Sequence, residues 1–203
     1  MEIFLARHGE SANNLLPESE HQPDPELTAL GRRQAECLGR HLAALRPAMV
    51  LSSPLVRSLA TAEPLALAAG IPWMVWGDLA EAHRAHPGDG TEVAVLQGRF
   101  PGATFAAELH WPGFPGDETP QEAAARAARL ASRLVLTGAR LGRLAVIGHG
   151  NINAYVMRQW MGIHPLAAVR LHQDNAAVHH VRVEARYREI LRYNDRAHLV
   201  TLP

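Results

Sequence analysis

Four short apolar runs, at about residues 2 to 6, 48 to 51, 73 to 76 and 143 to 147, are separated by longer segments with helical periodicity. No other feature constrains the fold as tightly. A parallel strand covered on both faces reads as a continuous apolar run, and its neighbour is reached through a long crossover, usually a helix. The chain has 203 residues and 47% hydrophobic content, enough for one sizeable core. The expectation is a single α/β domain over residues 1–203, with helices on both faces of a sheet.

Punctuation residues sharpen this outline. Thr28 is read as the cap of a helix through Leu30, Ala35, Leu38, Leu42 and Leu45, stopped by Pro47. Ser53 and Pro54 read as the cap and first-turn proline of a second helix, closed by Gly70 and kinked or split by Pro64. Thr119-Pro120-Gln121-Glu122 is a capping box with proline at the first helical position, and Gly138 is expected to end that helix. Gly150 through Met161 should form a helix whose amino end faces a ligand beside His149. Val178 to Val183 and Tyr187 to Tyr193 alternate as two strands. Residues 82–118, rich in Pro-Gly pairs, are expected to form an irregular, lid-like insertion in which Phe105, Trp111 and Phe114 either line a pocket or pin the loop to the core.

Chemistry-bearing residues follow the strands. Arg7-His8-Gly9-Glu10 closes the first apolar run, Ser53-Pro54-Leu55-Val56-Arg57 follows the second, and Gly148-His149-Gly150 follows the fourth. Ligands of α/β sheets bind outside the carboxyl ends of the strands, so two arginines and two histidines are placed to converge on one phosphoryl group. Gly9 lets the backbone turn sharply and approach an anion.

These residues also carry a family resemblance. The run Phe4-Leu5-Ala6-Arg7-His8-Gly9-Glu10-Ser11-Ala12-Asn13-Asn14 resembles the opening of the histidine phosphatase superfamily, which includes the cofactor-dependent phosphoglycerate mutases. The likeness continues in the family's order through Leu27-Thr28-Ala29-Leu30-Gly31-Arg32-Arg33-Gln34-Ala35, Ser53 to Ala62, Leu79-Ala80-Glu81, Ile147 to Gly150, and Asn194 to Leu199. It implies a three-layer α/β sandwich with a mostly parallel sheet. It also implies metal-independent hydrolysis of a small-molecule phosphate monoester through a phosphohistidine, with no cofactor.

A phosphate monoester is a dianion, so its site needs positive charge, an in-line nucleophile and an acid for the departing oxygen. His8 would attack through a neutral ring nitrogen. Arg7 and Arg57 offer planar forks to the phosphoryl oxygens and oppose a second charge on the His8 ring. The resemblance places His149 against the same group, where it is expected to donate as an imidazolium, with Gly150 beside it. Asn14 either orients a ring or binds the ester, the alternative being a backbone cap. Glu81 resembles the family's proton donor. The phosphatases of the family usually continue Gly-x-Trp-Glu-Gly, whereas here Glu81 leads into Ala82-His83-Arg84-Ala85-His86, so Glu108 and Glu118 stay open as alternatives.

Two rival functions follow from the same residues. A phosphoglycerate mutase would return the phosphoryl group to a second oxygen. Leu15-Leu16-Pro17-Glu18 replaces the Asn-x-Phe-x-Gly-Trp stretch of such mutases, and their paired arginines are absent. A catalytically impaired binder of phosphorylated ligands is the third reading, motivated by the residues after Glu81.

Charge and cysteine narrow the partners. Net charge is zero with a pI near 7.2, which speaks against nucleic acid or an acidic membrane surface. Cys37 is the only cysteine, so no internal disulfide or Cys-based metal cluster forms. No apolar run approaches the ~20 residues that span a bilayer, and no basic leader precedes the start, so a cytoplasmic, unexported protein is expected. The histidines, including His83 with His86 and His179 with His180, show no zinc-type spacing, and no metal is expected. His198 is expected to pack or hydrogen-bond. A homodimer is left open, with Arg188 and Arg192 guarding the terminal edge.

Overall fold

The computed structural model describes residues 1–82, 90–106, 109, 118–200 and 202. Among them, seven strands form one sheet: β1 (Glu2–Arg7), β2 (Met49–Ser52), β3 (Trp73–Val75), β4 (Thr104–Phe105), β5 (Arg143–Gly148), β6 (Val178–Val183) and β7 (Arg188–Asp195). Their order is β4-β3-β2-β5-β1-β6-β7. Strands β4 to β1 run parallel in that order, whereas β6 is antiparallel to β1 and β7 to β6.

Side chains alternate along each strand, so every central strand feeds two cores. Ile3, Leu5, Val146 and Leu51 point to the face covered by α4 (Pro120–Leu141) and α5 (Gly150–Met161), where they meet Leu130, Leu134, Val156 and Met157. Phe4, Ala6, Ala145, Ile147 and Val50 point to the other face, against Leu38 and Leu42 of α1 (Ala29–Ala44) and Leu59 and Leu65 of α2 (Val56–Ala69). The result is the three-layer α/β sandwich with a mostly parallel sheet.

Caps account for several boundaries. Thr28 Oγ1 accepts the Gly31 amide at 3.0 Å, and Thr119 and Glu122 form the reciprocal capping box. Three expectations are corrected. Ser53 does not cap α2; its first amide, on Val56, donates instead to Asp24 Oδ1 at 3.0 Å. Pro64 does not split α2, which is continuous to Ala69 and closes at Gly70 with φ 61°. Gly138 does not end α4: it is buried against the Met1 sulfur, and the helix continues to Leu141 before its cap at Gly142.

The insertion at 82–118 is also less irregular than expected, because α3 (Val93–Arg99) and the edge strand β4 fall inside it. Phe105 packs on the α1–α2 core, so it pins the segment rather than lining a pocket. Trp111, Phe114, His83, His86, His110 and Glu108 lie outside the described residues. No described helix is long and apolar enough to cross a membrane.

Candidate active site

Strands β1 and β5 are adjacent and parallel, with Arg7 paired to Gly148 in register. Each strand ends one residue before a histidine. The rings of His8 and His149 therefore stand beside each other, with centroids 5.0 Å apart and planes tilted by 57°. Both are buried, at 3% and 0% exposure.

The His8 ring is fixed by its own turn. Nδ1 lies 2.6 Å from the Gly9 carbonyl, which can only accept, so Nδ1 carries the proton and Nε2 keeps its lone pair. The Gly9 amide donates to Thr61 Oγ1 at 3.0 Å, and that hydroxyl donates to the Arg57 carbonyl at 2.7 Å, tying the turn to α2. Gly9 also sits against α1: a Cβ there would meet the Gly31 carbonyl oxygen at 2.5 Å. Gly31 is equally confined, since its own Cβ would fall 1.9 Å from the Glu10 carbonyl oxygen. On the other side, Ala176, held at φ 56°, donates its amide to the His8 carbonyl at 3.0 Å. A non-glycine residue in that left-handed region is strained, and here the strain borders the histidine turn. His198 Nε2, 3.0 Å from the Ala176 carbonyl, and the stacked ring of His41 hold it from outside.

His149 is oriented from β2. Ser53 Oγ accepts the Leu55 amide at 3.2 Å and lies 2.8 Å from His149 Nε2. The other ring nitrogen, Nδ1, is buried with no hydrogen-bond partner among the described residues. Gly148 is required beside it, because a Cβ would meet Asn153 Oδ1 at 2.5 Å.

Burial, then Arg57 and Arg7, hold both imidazoles well below the usual histidine range. For His8 this matches the neutral nucleophile expected. For His149, burial, Arg57 and the neighbouring His8 favour the neutral ring rather than the imidazolium.

The two guanidiniums are held differently. Arg7 Nη1 donates to the Gln173 carbonyl at 2.8 Å, while its Nε is buried and unpartnered among the described residues. A polar cluster lies behind it, in which the Gln173 amide bonds the Leu5 and Ala177 carbonyls and Asn153 bonds Ala6 and Gln173. Among the described residues Arg57 has only a loose ion pair, 3.8 Å from Asp24 Oδ1, and its side chain is 13% exposed. Asp24 also accepts from Thr91 Oγ1 at 3.0 Å, and its burial pushes its carboxyl up from the usual range. Gly150 lies against Arg7, where a Cβ would sit 3.7 Å from Nε.

Glu81 lies at the start of α5. Its Oε1 accepts the amides of Ala82 at 2.8 Å and of Asn151 and Ile152 at 3.1 Å, whereas among the described residues Oε2 has only a long 3.4 Å contact with Asn151 N. The helix amino end expected to face a ligand is thus occupied by a carboxylate, the charge that its amides and dipole favour. Of the alternative carboxylates, Glu118 has both oxygens on Arg126, at 2.8 and 2.7 Å. Asn14 is exposed, and its Oδ1 accepts from Ser11 N, Ser11 Oγ and Asn175 Nδ2. Among the described residues no group of His, Cys, Asp or Glu is arranged to hold a metal ion. His179 and His180 take opposite sides of β6, stacked on Tyr193 and packed against Phe4 respectively.

Arg7 and His8 at the end of β1, His149 at the end of β5, Arg57 on α2 and Glu81 at the start of α5 are the residues expected at the site, and Ser53, Thr61 and Asp24 support them without being singled out for it in the sequence. Thr61 and Ser53 stood inside quoted motifs, and Asp24 preceded one. Only their long-range contacts reveal what they do.

Comparison with known proteins decides the family. The model of the histidine phosphatase superfamily (branch 1) matches residues 3–196. The chain belongs to the histidine phosphatase superfamily. Among curated relatives, it is 28% identical over 189 residues to a probable phosphoglycerate mutase of Salmonella paratyphi C, covering 88% of this chain and 83% of that one. It is 29% identical over 163 residues to a glucosyl-3-phosphoglycerate phosphatase of Mycobacterium tuberculosis, covering 75% of this chain and 71% of the other. Among solved structures, an alpha-ribazole phosphatase from Shigella flexneri superposes with a TM-score of 0.74 at 21% identity, over 97% of this chain and 98% of that chain. This histidine phosphatase fold is shared by the vanadate complex of a mycobacterial glucosyl-3-phosphoglycerate phosphatase, with a TM-score of 0.69, 24% identity and coverage of 96% and 99%.

Proposed function

We propose that this histidine phosphatase superfamily member hydrolyses a phosphate monoester through a phosphohistidine on His8. The observation that carries the reading is the Nδ1–Gly9 carbonyl bond at 2.6 Å, which leaves the opposite nitrogen of a neutral, buried imidazole as a nucleophile between two arginines. In the first half-reaction the Nε2 lone pair attacks phosphorus and the P–O bond to the alcohol breaks. Arg7, Arg57 and His149 then share the charge on the equatorial oxygens. The departing oxygen takes a proton from Glu81, through the lightly engaged Oε2. In the second half-reaction water gives that proton back to Glu81 while it attacks the phosphohistidine, releasing inorganic phosphate and restoring His8. None of these steps calls on a metal.

The full span 1–203 is read as one such domain, and the choice of ester is assigned to the 82–118 insertion. Asn14 Nδ2 and the Gly150 backbone complete the substrate contacts in this reading. The small-molecule ester is bounded to a phosphate monoester, a class consistent with the phosphatase relatives.

The test is turnover of an aryl phosphate in excess chelator, with trapping of protein-bound phosphate that is acid-labile and alkali-stable. His8→Ala should lose roughly 10³-fold or more in turnover with its circular dichroism retained. Full activity in that variant refutes the nucleophile. Interconversion of 3- and 2-phosphoglycerate without net phosphate release would replace hydrolysis by the mutase reaction.

A further inference from the structure

Arg126, on α4, directs all five of its guanidinium N–H groups at the segment that carries Glu81 and at one carboxylate. Nη1 donates to the carbonyls of Asp78 at 2.7 Å and Ala80 at 2.8 Å, and Nη2 donates to the Glu81 carbonyl at 3.3 Å. The remaining edge is bidentate to Glu118, with Nε to Oε1 at 2.8 Å and Nη2 to Oε2 at 2.7 Å. Seven residues along the same helix, Arg133 donates to Asp78 Oδ2 at 2.6 Å and lies 4.2 Å over the Trp76 ring.

The carbonyls that Arg126 collects belong to the short 3-10 turn Gly77–Leu79 and the two residues after it. Such a turn leaves its last carbonyls without internal partners, and one planar fork satisfies three of them at once. A lysine has no equivalent geometry. The consequence is that Glu81 is held from two directions: its backbone by α4 through Arg126, and its carboxylate by the amides of α5.

We propose that Arg126 is a positioning residue for proton transfer, fixing Glu81 where its more lightly bonded oxygen, Oε2, meets the leaving group. This rests on the reading of Glu81 as the proton donor. Acid catalysis tolerates little error in placement; a shift of about 1 Å can cost on the order of 100-fold. The demand falls where protonation matters, on esters whose alcohols leave poorly.

The test uses the full chain, a series of aryl phosphates whose phenols span a wide range of acidity, and the variants Arg126→Ala, Arg126→Lys, Glu81→Gln and Arg126→Ala with Glu81→Gln. Glu81→Gln should steepen the dependence of kcat on phenol acidity. Arg126→Ala should steepen it in the same sense, with a loss of roughly tenfold on the best leaving group and about 100-fold on phenyl phosphate. Arg126→Lys should fall between, the double variant should be no steeper than Glu81→Gln alone, and millimolar guanidinium should restore Arg126→Ala but not Glu81→Gln. A uniform loss across the series in Arg126→Ala, tracking a lower thermal midpoint, overturns the positioning role and leaves the Glu81 reading intact. An unchanged slope in Glu81→Gln overturns the proton donor and this inference with it. Should Arg126→Ala fail to fold, Arg126→Lys decides by the same slope.

Discussion

The hydroxyl of Ser53, at the end of β2, lies 2.8 Å from Nε2 of His149, at the end of β5. One strand thus orients a side chain on its neighbour. Replacing Ser53 with Ala releases the ring from that contact. The expected result is a loss of about fivefold in kcat, corresponding to a hydrogen bond of ~1 kcal/mol, with a similar cost in stability from the orphaned Leu55 amide. Steady-state kinetics and a thermal melt check it; wild-type kcat would remove Ser53 from the machinery.

Arg57→Lys tests whether fork geometry or bare charge matters. The ammonium keeps the charge beside Asp24 but cannot bond two phosphoryl oxygens in one plane. A loss of about 1.5–3 kcal/mol is expected, read as a fall of roughly 10- to 100-fold in kcat/KM with weaker inhibition by inorganic phosphate. Unchanged values for both would show that charge alone suffices.

Gly31→Ala should damage the fold rather than the chemistry. The new Cβ would fall 1.9 Å from the Glu10 carbonyl oxygen, a backbone atom that cannot swing aside as a side chain tip does. A destabilisation of ~3 kcal/mol is expected, with activity lost in step because the Glu10 backbone adjoins the His8–Gly9 turn. Denaturant melts measure it, and a wild-type midpoint would contradict the contact.

Acid should destabilise the protein before its carboxylates titrate. Burial lowers His8, His149 and His180, and lowers His179 and His198 to about 4. An unfolded histidine titrates near ~6.5, so below that pH the unfolded chain binds more protons and stability falls as pH falls from ~6.5 toward 4. For buried His179 alone the cost at pH 5 is on the order of 1–2 kcal/mol. Asp24, with its carboxyl raised, acts in the opposite sense, but it is one group against five. The lowered carboxyls of Glu26 and Asp174 weaken the fold only near and below pH ~4. Thermal midpoints from pH 7.5 to 5 check the sign; a midpoint that rises or holds across that interval would contradict it.

What could be read from the chain in advance divides by the range of the cause. Thr28 and the Thr119–Glu122 box were legible because a cap is satisfied within one helical turn. The ends of β1 and β5 were legible because an apolar run stops where the polar motif begins. The start of α2 was not, since its amide is capped by Asp24 from far upstream. Gly138 signalled a helix end locally but was overruled by packing against Met1. Ser53, Asp24 and Arg126 act through partners 96, 32 and 45 to 48 residues away, and no local pattern encodes such pairings.

The pairing of Arg7 with Gly148 across β1 and β5 makes the distance between the two imidazoles a sheet dimension. Neighbouring strands lie about 4.8 Å apart, and the rings stand at 5.0 Å. Backbone repeat rather than loop sequence is the ruler for the reacting pair. Changes in chain segments that do not touch β1 or β5 therefore leave that ruler untouched, so selectivity is free to drift without retuning the distance between the two imidazoles.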